Sequence, residues 1–197
     1  IGTDSQGFIH LSHQKNANYL YYTTNKSGSW QQQNLRSYDY GDTGLDIDTN
    51  DKVHIAYSVN YSAGSHHLEY RENTSGSWNN VSVDTGDLGS RNDMVLDSIN
   101  KAHISYNDYG NSAVKYATNV SGSWQKITVD TSGNPGNSQT AIAVDSGGKV
   151  HISYNESSAG DLKYATNESG SWQISTLDSG GSVGYSCAII KDSNDKL

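Results

Sequence analysis

The stretch KVHISYNESSAGDLKYATNESGSW, Lys149–Trp172, has three earlier counterparts in the chain. They are FIHLSHQKNANYLYYTTNKSGSW (8–30), KVHIAYSVNYSAGSHHLEYRENTSGSW (52–78) and KAHISYNDYGNSAVKYATNVSGSW (101–124). Within KVHISY, Val150, Ile152 and Tyr154 alternate with His151 and Ser153, the period of a strand with one apolar side. Four such segments fit the last complete unit: A at about 141–145, B at 150–155, C at 162–167 and D at 172–177. The connections DSGGK, ESSAGD and ESGSW are short and rich in turn formers, as antiparallel hairpins require.

Working outward, the four tryptophans lie at 30, 78, 124 and 172, spaced by 48, 46 and 48 residues. The aspartates before each His strand, Asp4, Asp48, Asp97 and Asp145, keep the same ruler, and Asp192 opens a fifth interval. No window carries apolar residues at helical spacing. Four short antiparallel strands in a repeat of about 47 residues predict a β-propeller blade. The fold class is therefore all-β, with repeats at approximately 1–44, 45–93, 94–140 and 141–187. Residues 188–197 are the start of a fifth repeat or a strand that closes a four-bladed ring on Phe8–His13. The sequence leaves open whether this ring closes within the chain, belongs to a larger propeller, or is completed by self-association. The chain begins without Met and stops inside a repeat, so it is expected to be a piece of something longer.

Composition bounds the rest. Only 33% of the 197 residues are hydrophobic, and the aromatic content is 14 Tyr, 4 Trp and 1 Phe. The core must therefore use rings that carry a polar tip. A formal net charge of -8 argues against a nucleic-acid partner, because phosphates require clustered Lys and Arg. No apolar run is long enough to span a membrane as a helix. The single cysteine, Cys187, excludes an intrachain disulfide and reads as a small buried filler.

A side chain present in every repeat serves a need that every repeat has. His10, His54, His103 and His151 share one position on strand B, and Trp30, Trp78, Trp124 and Trp172 share one at the start of strand D. Both sets are assigned to structure, and no metal site is expected from the histidines. Asn25, Asn73, Asn119 and Asn167 are formal glycosylation acceptors but suit their hairpin turns through left-handed backbone and local hydrogen bonds. The Asp turns have a weak likeness to calcium loops without their ligand density. No cofactor is otherwise expected.

AIAVDSGGKVHISY followed by LKYATNESGSW resembles the blades of secreted, mostly microbial propellers of the sialidase-like, BNR or Asp-box group, over essentially the whole chain. The Asp-box pattern S/T-x-D-x-G-x-x-W is kept only at Asp145 and Gly147, with Ala143 and Val150 at its ends. The WD dipeptide of WD40 propellers is absent. The resemblance implies a secreted or cell-surface location and directs attention to sugars. Sialidases clamp a carboxylate with three arginines; here the three, Arg36, Arg71 and Arg91, come from the first two repeats. No pair of carboxylates recurs in an acid–base arrangement. Related polysaccharide lyases use His and Tyr, which would make His13, His66 and His67 a proton-transfer set.

Strand polarity places the D–A and B–C loops on one face, and loops that vary on a repeated scaffold are where binding concentrates. That face collects residues occurring once in the repeat frame: Tyr38, Tyr40, His66, His67, Arg91, Tyr109 and Tyr185. His13 joins them where other repeats have Tyr57, Tyr106 and Tyr154. Aromatic rings ringed by polar groups suit the apolar face and hydroxyl fringe of a sugar. The expectation is a non-catalytic, lectin-like module for a carbohydrate or cell-surface ligand. The alternatives are a structural or adhesive spacer, and a polysaccharide lyase or glycosidase-like enzyme.

Overall fold

A computed structural model describes the chain except residues 17–18, 38, 63–64 and 136–138, and except the side chains of residues 39, 40, 62 and 90. Among the described residues, sixteen strands form four separate four-stranded antiparallel sheets, each in chain order. The first sheet holds β1 (Gly2–Thr3), β2 (Ile9–Lys15), β3 (Tyr19–Thr24) and β4 (Gln31–Ser37). The second holds β5 (Asp39–Ile47), β6 (Val53–Ser62), β7 (Ser65–Glu72) and β8 (Asn79–Gly86). The third holds β9 (Leu88–Leu96), β10 (Ala102–Asp108), β11 (Ala113–Thr118) and β12 (Gln125–Asp130). The fourth holds β13 (Thr140–Val144), β14 (Val150–Glu156), β15 (Asp161–Thr166) and β16 (Gln173–Asp178).

The hydrophobic core is divided among the junctions between consecutive sheets. Leu20, Leu35, Leu45, Ile55 and Tyr57 fill the first junction. Leu68, Val83, Met94, Ile104 and Tyr106 fill the second, and Val114, Val129, Ile142, Ile152 and Tyr154 the third. Tyr57, Tyr106 and Tyr154 are fully buried, so the scarcity of Phe is met by tyrosine.

One line of side chains recurs in every repeat. The Asp48 Oδ1 accepts the amides of Asn50 and Lys52, closing its own turn, and Asp4 and Asp97 do likewise. The other carboxylate oxygen faces a histidine Nε2: Asp4–His10 at 3.3 Å, Asp48–His54 at 3.5 Å, Asp97–His103 at 3.2 Å and Asp145–His151 at 3.8 Å. The histidine Nδ1 meets a strand-C phenol, Tyr22 on His10 and Tyr116 on His103 at 2.5 Å, with Tyr70 and Tyr164 placed alike. That phenol packs edge-on against the tryptophan of the next sheet: Tyr22–Trp78, Tyr70–Trp124 and Tyr116–Trp172, with centroids 5.3, 5.1 and 5.6 Å apart. Each repeat thereby carries its own ordering from turn to neighbour.

Several local expectations change. The asparagines of the N-x-S-G-S-W turns act through their carboxamides, Asn25, Asn73, Asn119 and Asn167 each accepting the amide that opens strand B. The left-handed backbone of these turns falls instead on Gly28, Gly76, Gly122 and Gly170. The D–A segments 36–44 and 85–93 are largely strand, because β5 and β9 start early and pair irregularly with β6 and β10. Residues 60–67 are mostly strand as well, with pairing that reaches Ser62 and Ser65.

All four sheets also share a register shift between strands C and D, at Leu20/Tyr21, Leu68/Glu69, Val114/Lys115 and Leu162/Lys163. The residue skipped on strand D is Leu35, Val83, Val129 or Leu177. A bulge re-aims the side chain it displaces. The first three are buried in the junction with the next sheet.

Residues 188–191 form no ladder, but the turn that follows is complete. Asp192 Oδ1 accepts the amides of Asn194 and Lys196. Ser146 donates its amide and hydroxyl to Asp195, as Ser5 does to Asp51. The tail thus meets the fourth sheet through the same contact by which the second sheet meets the first.

Candidate functional site

The opening residues of the inner strands are polar and their continuations apolar. Asp42–Thr43 precede Leu45 on β5, Asn92–Asp93 precede Met94 on β9, and Gln139–Thr140 precede Ile142 at β13. A cavity of about 580 Å³ lies at the polar end, lined by these residues together with His13 and the Cys187–Ile190 segment. A smaller recess of about 270 Å³ at the apolar end is bounded by Leu45, Met94, Ile142 and Ile189. Every sheet contributes to the polar cavity, so it is a product of the assembled repeats.

Hydroxyl pairs tie the inner strands together around it: Ser12 Oγ to Thr43 Oγ1 at 2.7 Å and Ser105 Oγ to Thr140 Oγ1 at 3.0 Å. Asn92 donates from Nδ2 to the Asp42 carbonyl at 2.9 Å and to Ser58 Oγ at 3.3 Å. Its Oδ1 is buried and has no hydrogen-bond partner among the described residues. A buried acceptor without a donor is costly unless a ligand or solvent group fills it. Asp93 accepts the amides of Met94 at 2.9 Å and Ile142 at 3.1 Å. Burial outweighs those two bonds and raises its pKa above the usual carboxylate value. Asp42 is exposed at the mouth.

The residues singled out from the sequence fall in several places. His13 lines the cavity, its Nε2 3.0 Å from Thr23 Oγ1 and its ring stacked on Tyr21. His66 Nδ1 lies 3.1 Å from Asp87 Oδ1, and the Asp87 carbonyl accepts the Gly110 amide next to exposed Tyr109. These three meet where the second and third sheets join. His67 packs on Tyr61 with centroids 4.5 Å apart. Arg36 donates to the Tyr61 hydroxyl, which in turn donates to buried Glu69. Arg91 and Tyr185 are exposed. Tyr38 and the Tyr40 side chain lie outside the described residues. His13, His66 and His67 each have different partners on different elements.

The sequence reading passed over Asp42, Asn92, Gln139 and Thr140. Their signal is present but weak: each is a polar residue opening the apolar part of strand A, and they differ from repeat to repeat. Among the described residues, no group of three or more His, Cys, Asp or Glu side chains is arranged to hold a metal ion.

The charges between sheets are arranged with one reversal. Asp84 at the end of β8 accepts from Tyr106 at 2.8 Å and pairs with Lys115 at 2.6 Å in the next sheet. Asp130 accepts from Tyr154 at 2.7 Å and lies 3.6 Å from Lys163. Burial alone would raise both carboxyls, yet the donors around them hold both below the usual value. At the first junction the order inverts, Arg36 standing in the aspartate position and Glu69 in the lysine position. Tyr57 then turns to Asn80, at 2.5 Å.

No family model matches the chain, and no curated protein matches it. Solved structures do. A Dyadobacter fermentans protein of unknown function superposes with a TM-score of 0.63 at 10% identity, over 91% of this chain and 64% of its own. An ulvan lyase of polysaccharide lyase family 25, bound to -[GlcA(1-4)Rha3S]-, gives 0.59 at 12% identity, over 91% and 52%. The exo-β-1,3-galactanase of Phanerochaete chrysosporium gives 0.52 at 10% identity, over 89% and 52%. The chain spans between about half and two thirds of the length of these structures. At such identities the likeness is one of fold: all-β, assembled from small antiparallel sheets.

Proposed function

We propose that this chain is a β-propeller segment acting as a non-catalytic carbohydrate-binding module of a secreted or cell-surface protein, with the sugar seated in the polar axial cavity. The observation that carries the reading is a cavity walled by hydroxyls, amides and carboxylates from all four sheets, to which Asn92 brings a buried Oδ1 with no hydrogen-bond partner among the described residues. A sugar hydroxyl is a matched donor for it, and convergent polar groups in a concave site fix ligand orientation. The fold likeness to polysaccharide-acting proteins favours a saccharide over other polyols. Catalysis is disfavoured because both Asp93 oxygens are engaged by backbone amides, which leaves exposed Asp42 without a carboxylate partner across the cavity. The test is binding to a broad polysaccharide and glycan array, with and without chelator. Saturable binding that persists under chelator supports the reading. A blank array from folded protein turns it toward a structural or adhesive spacer.

A further inference from the structure

Aligned on the register shift between strands C and D, Arg36 stands where the later sheets have Asp84, Asp130 and Asp178. That exchange changes the charge of the first junction. At the second junction two carboxylates, Asp84 and Asp108, face two ammonium groups, Lys115 and Lys126. At the first, two guanidiniums, Arg36 and Arg71, accompany one carboxylate, Glu69. Arg71 Nη1 donates to the Leu35 carbonyl at 2.6 Å, and buried Glu69 accepts from Tyr61 and from Asn80 Nδ2. Among the described residues Arg36 makes no ion pair, and its one side-chain hydrogen bond runs from Nη2 to the Tyr61 hydroxyl at 2.5 Å. A half-buried guanidinium with donors to spare suits an oxyanion, because its planar fork matches two oxygens at once.

Arg36 also lines a recess of about 220 Å³ together with Val59, Asn60 and Tyr61. Tyr61 is 53% exposed, and Arg36 Cζ lies 5.2 Å from its ring centroid. The His67 ring packs 4.5 Å from the same centroid and helps to fix its orientation. Asn60 is half-buried and adds a carboxamide. The recess thus combines a cation, an aromatic surface and an amide, and no carboxylate lines it among the described residues. It shares no lining residue with the polar cavity.

We infer that this recess is a second binding site, for an oxyanion carried on a sugar ring: a uronate carboxylate or a sulfate ester. The Arg36 fork takes the oxyanion, and the exposed side of Tyr61 takes the apolar face of the ring. Asn60 supplies both a donor and an acceptor for neighbouring hydroxyls. The polar cavity has the opposite character, since Asp42 and Asp93 line it with no Lys or Arg among the described residues. The two sites therefore take saccharide units of different charge, and the recess does not depend on what fills the cavity.

Calorimetric titration with trigalacturonate, a sulfated galactotriose and plain galactotriose tests this, and the two acidic probes separate carboxylate from sulfate. At least one acidic probe is expected to bind, more weakly as salt rises. Arg36→Gln is expected to weaken that binding about tenfold or more, with circular dichroism checking the fold. Tyr61→Ala, at an exposed ring, is expected to weaken it as well and gives a second reading that leaves Arg36 in place. Arg91→Gln, at an exposed arginine elsewhere, is expected to leave it unchanged. Any binding of plain galactotriose belongs to the polar cavity and is expected to be the same before and after Arg36→Gln. Absence of binding by both acidic probes overturns the inference. So does an Arg36→Gln protein that keeps full affinity for them, or one that loses the plain sugar equally.

Discussion

The phenol of Tyr70 lies edge-on to the indole of Trp124, with ring centroids 5.1 Å apart, across the junction of the second and third sheets. The same hydroxyl meets His54 Nδ1, and the opposite ring nitrogen faces Asp48. In the third sheet the equivalent His103 Nε2 lies 3.2 Å from Asp97 Oδ2, so the carboxylate accepts from Nε2–H and Nδ1 accepts from the Tyr116 phenol. One chain of contacts thus links a turn to the adjacent sheet. Trp124→Ala is expected to lower unfolding free energy by about 2–3 kcal/mol through lost packing. Tyr70→Phe removes only the hydroxyl and is expected to lose about 1 kcal/mol. Urea unfolding monitored by circular dichroism measures both. A Trp124→Ala loss below that of Tyr70→Phe would contradict the packing role.

The histidines of this line give the fold a pH dependence of defined sign. Burial lowers the pKa of His54 and His103 below the ordinary 6.5, despite the opposing pull of Asp48 and Asp97. The unfolded chain therefore binds more protons than the folded chain below that value, and stability rises with pH. The contribution is complete above the unfolded value near 6.5 and is lost as pH falls below it. The Tm is expected to be flat from pH 8 to 7 and to decline as pH falls below the unfolded value near 6.5. His103→Gln should flatten that decline, and calorimetry across the range would show it.

Gly44 sits where β5 packs closely on β9. A Cβ at this position would lie 2.5 Å from the Met94 amide nitrogen and 3.0 Å from the Asp93 carbonyl carbon. Because these are backbone atoms, relief requires the two inner strands to separate. Gly44→Ala is expected to destabilise the chain by about 2 kcal/mol, the scale of overpacking a filled interior. An unchanged midpoint in thermal unfolding would show that the strands can part freely there.

The polar cavity makes a prediction separable from folding. Asp42 is exposed at its mouth and Arg91 is exposed outside its lining. Asp42→Ala is expected to weaken binding of an array-selected saccharide about tenfold, the scale of one charge-assisted hydrogen bond of roughly 1.4 kcal/mol. Arg91→Ala is expected to leave affinity unchanged. Calorimetric titration of both variants decides it, and the reverse ranking would move the site from the cavity to the loop tips.

Much of the strand pattern was legible because its causes are local. Alternation in KVHISY, the glycine turns and the Asp turns act over a few residues, and four copies of each averaged out the noise. The strands of the fourth sheet fall within one or two residues of their expected limits. The candidate site was less legible. His13 lines the cavity, but His66 faces Asp87 and His67 packs on Tyr61, and nothing in either segment names its partner. Asp42, Asn92 and Gln139 look like ordinary strand openings until their strands converge.

By itself the sequence determined the unit: four strands, two kinds of structured turn, and the Asp–His–Tyr–Trp positions that recur in every copy. The tertiary structure decided what those units do to one another. The bulge that turns Leu35, Val83 and Val129 inward arises from pairing between strands, and the Arg36–Glu69 reversal has meaning only across a junction. Ser5 meets Asp51, Asp93 meets Ile142 and Ser146 meets Asp195 across nearly fifty residues of chain. Alternation and turn chemistry constrain neighbours along the backbone. Packing between sheets is set by groups that adjoin only once the chain has folded.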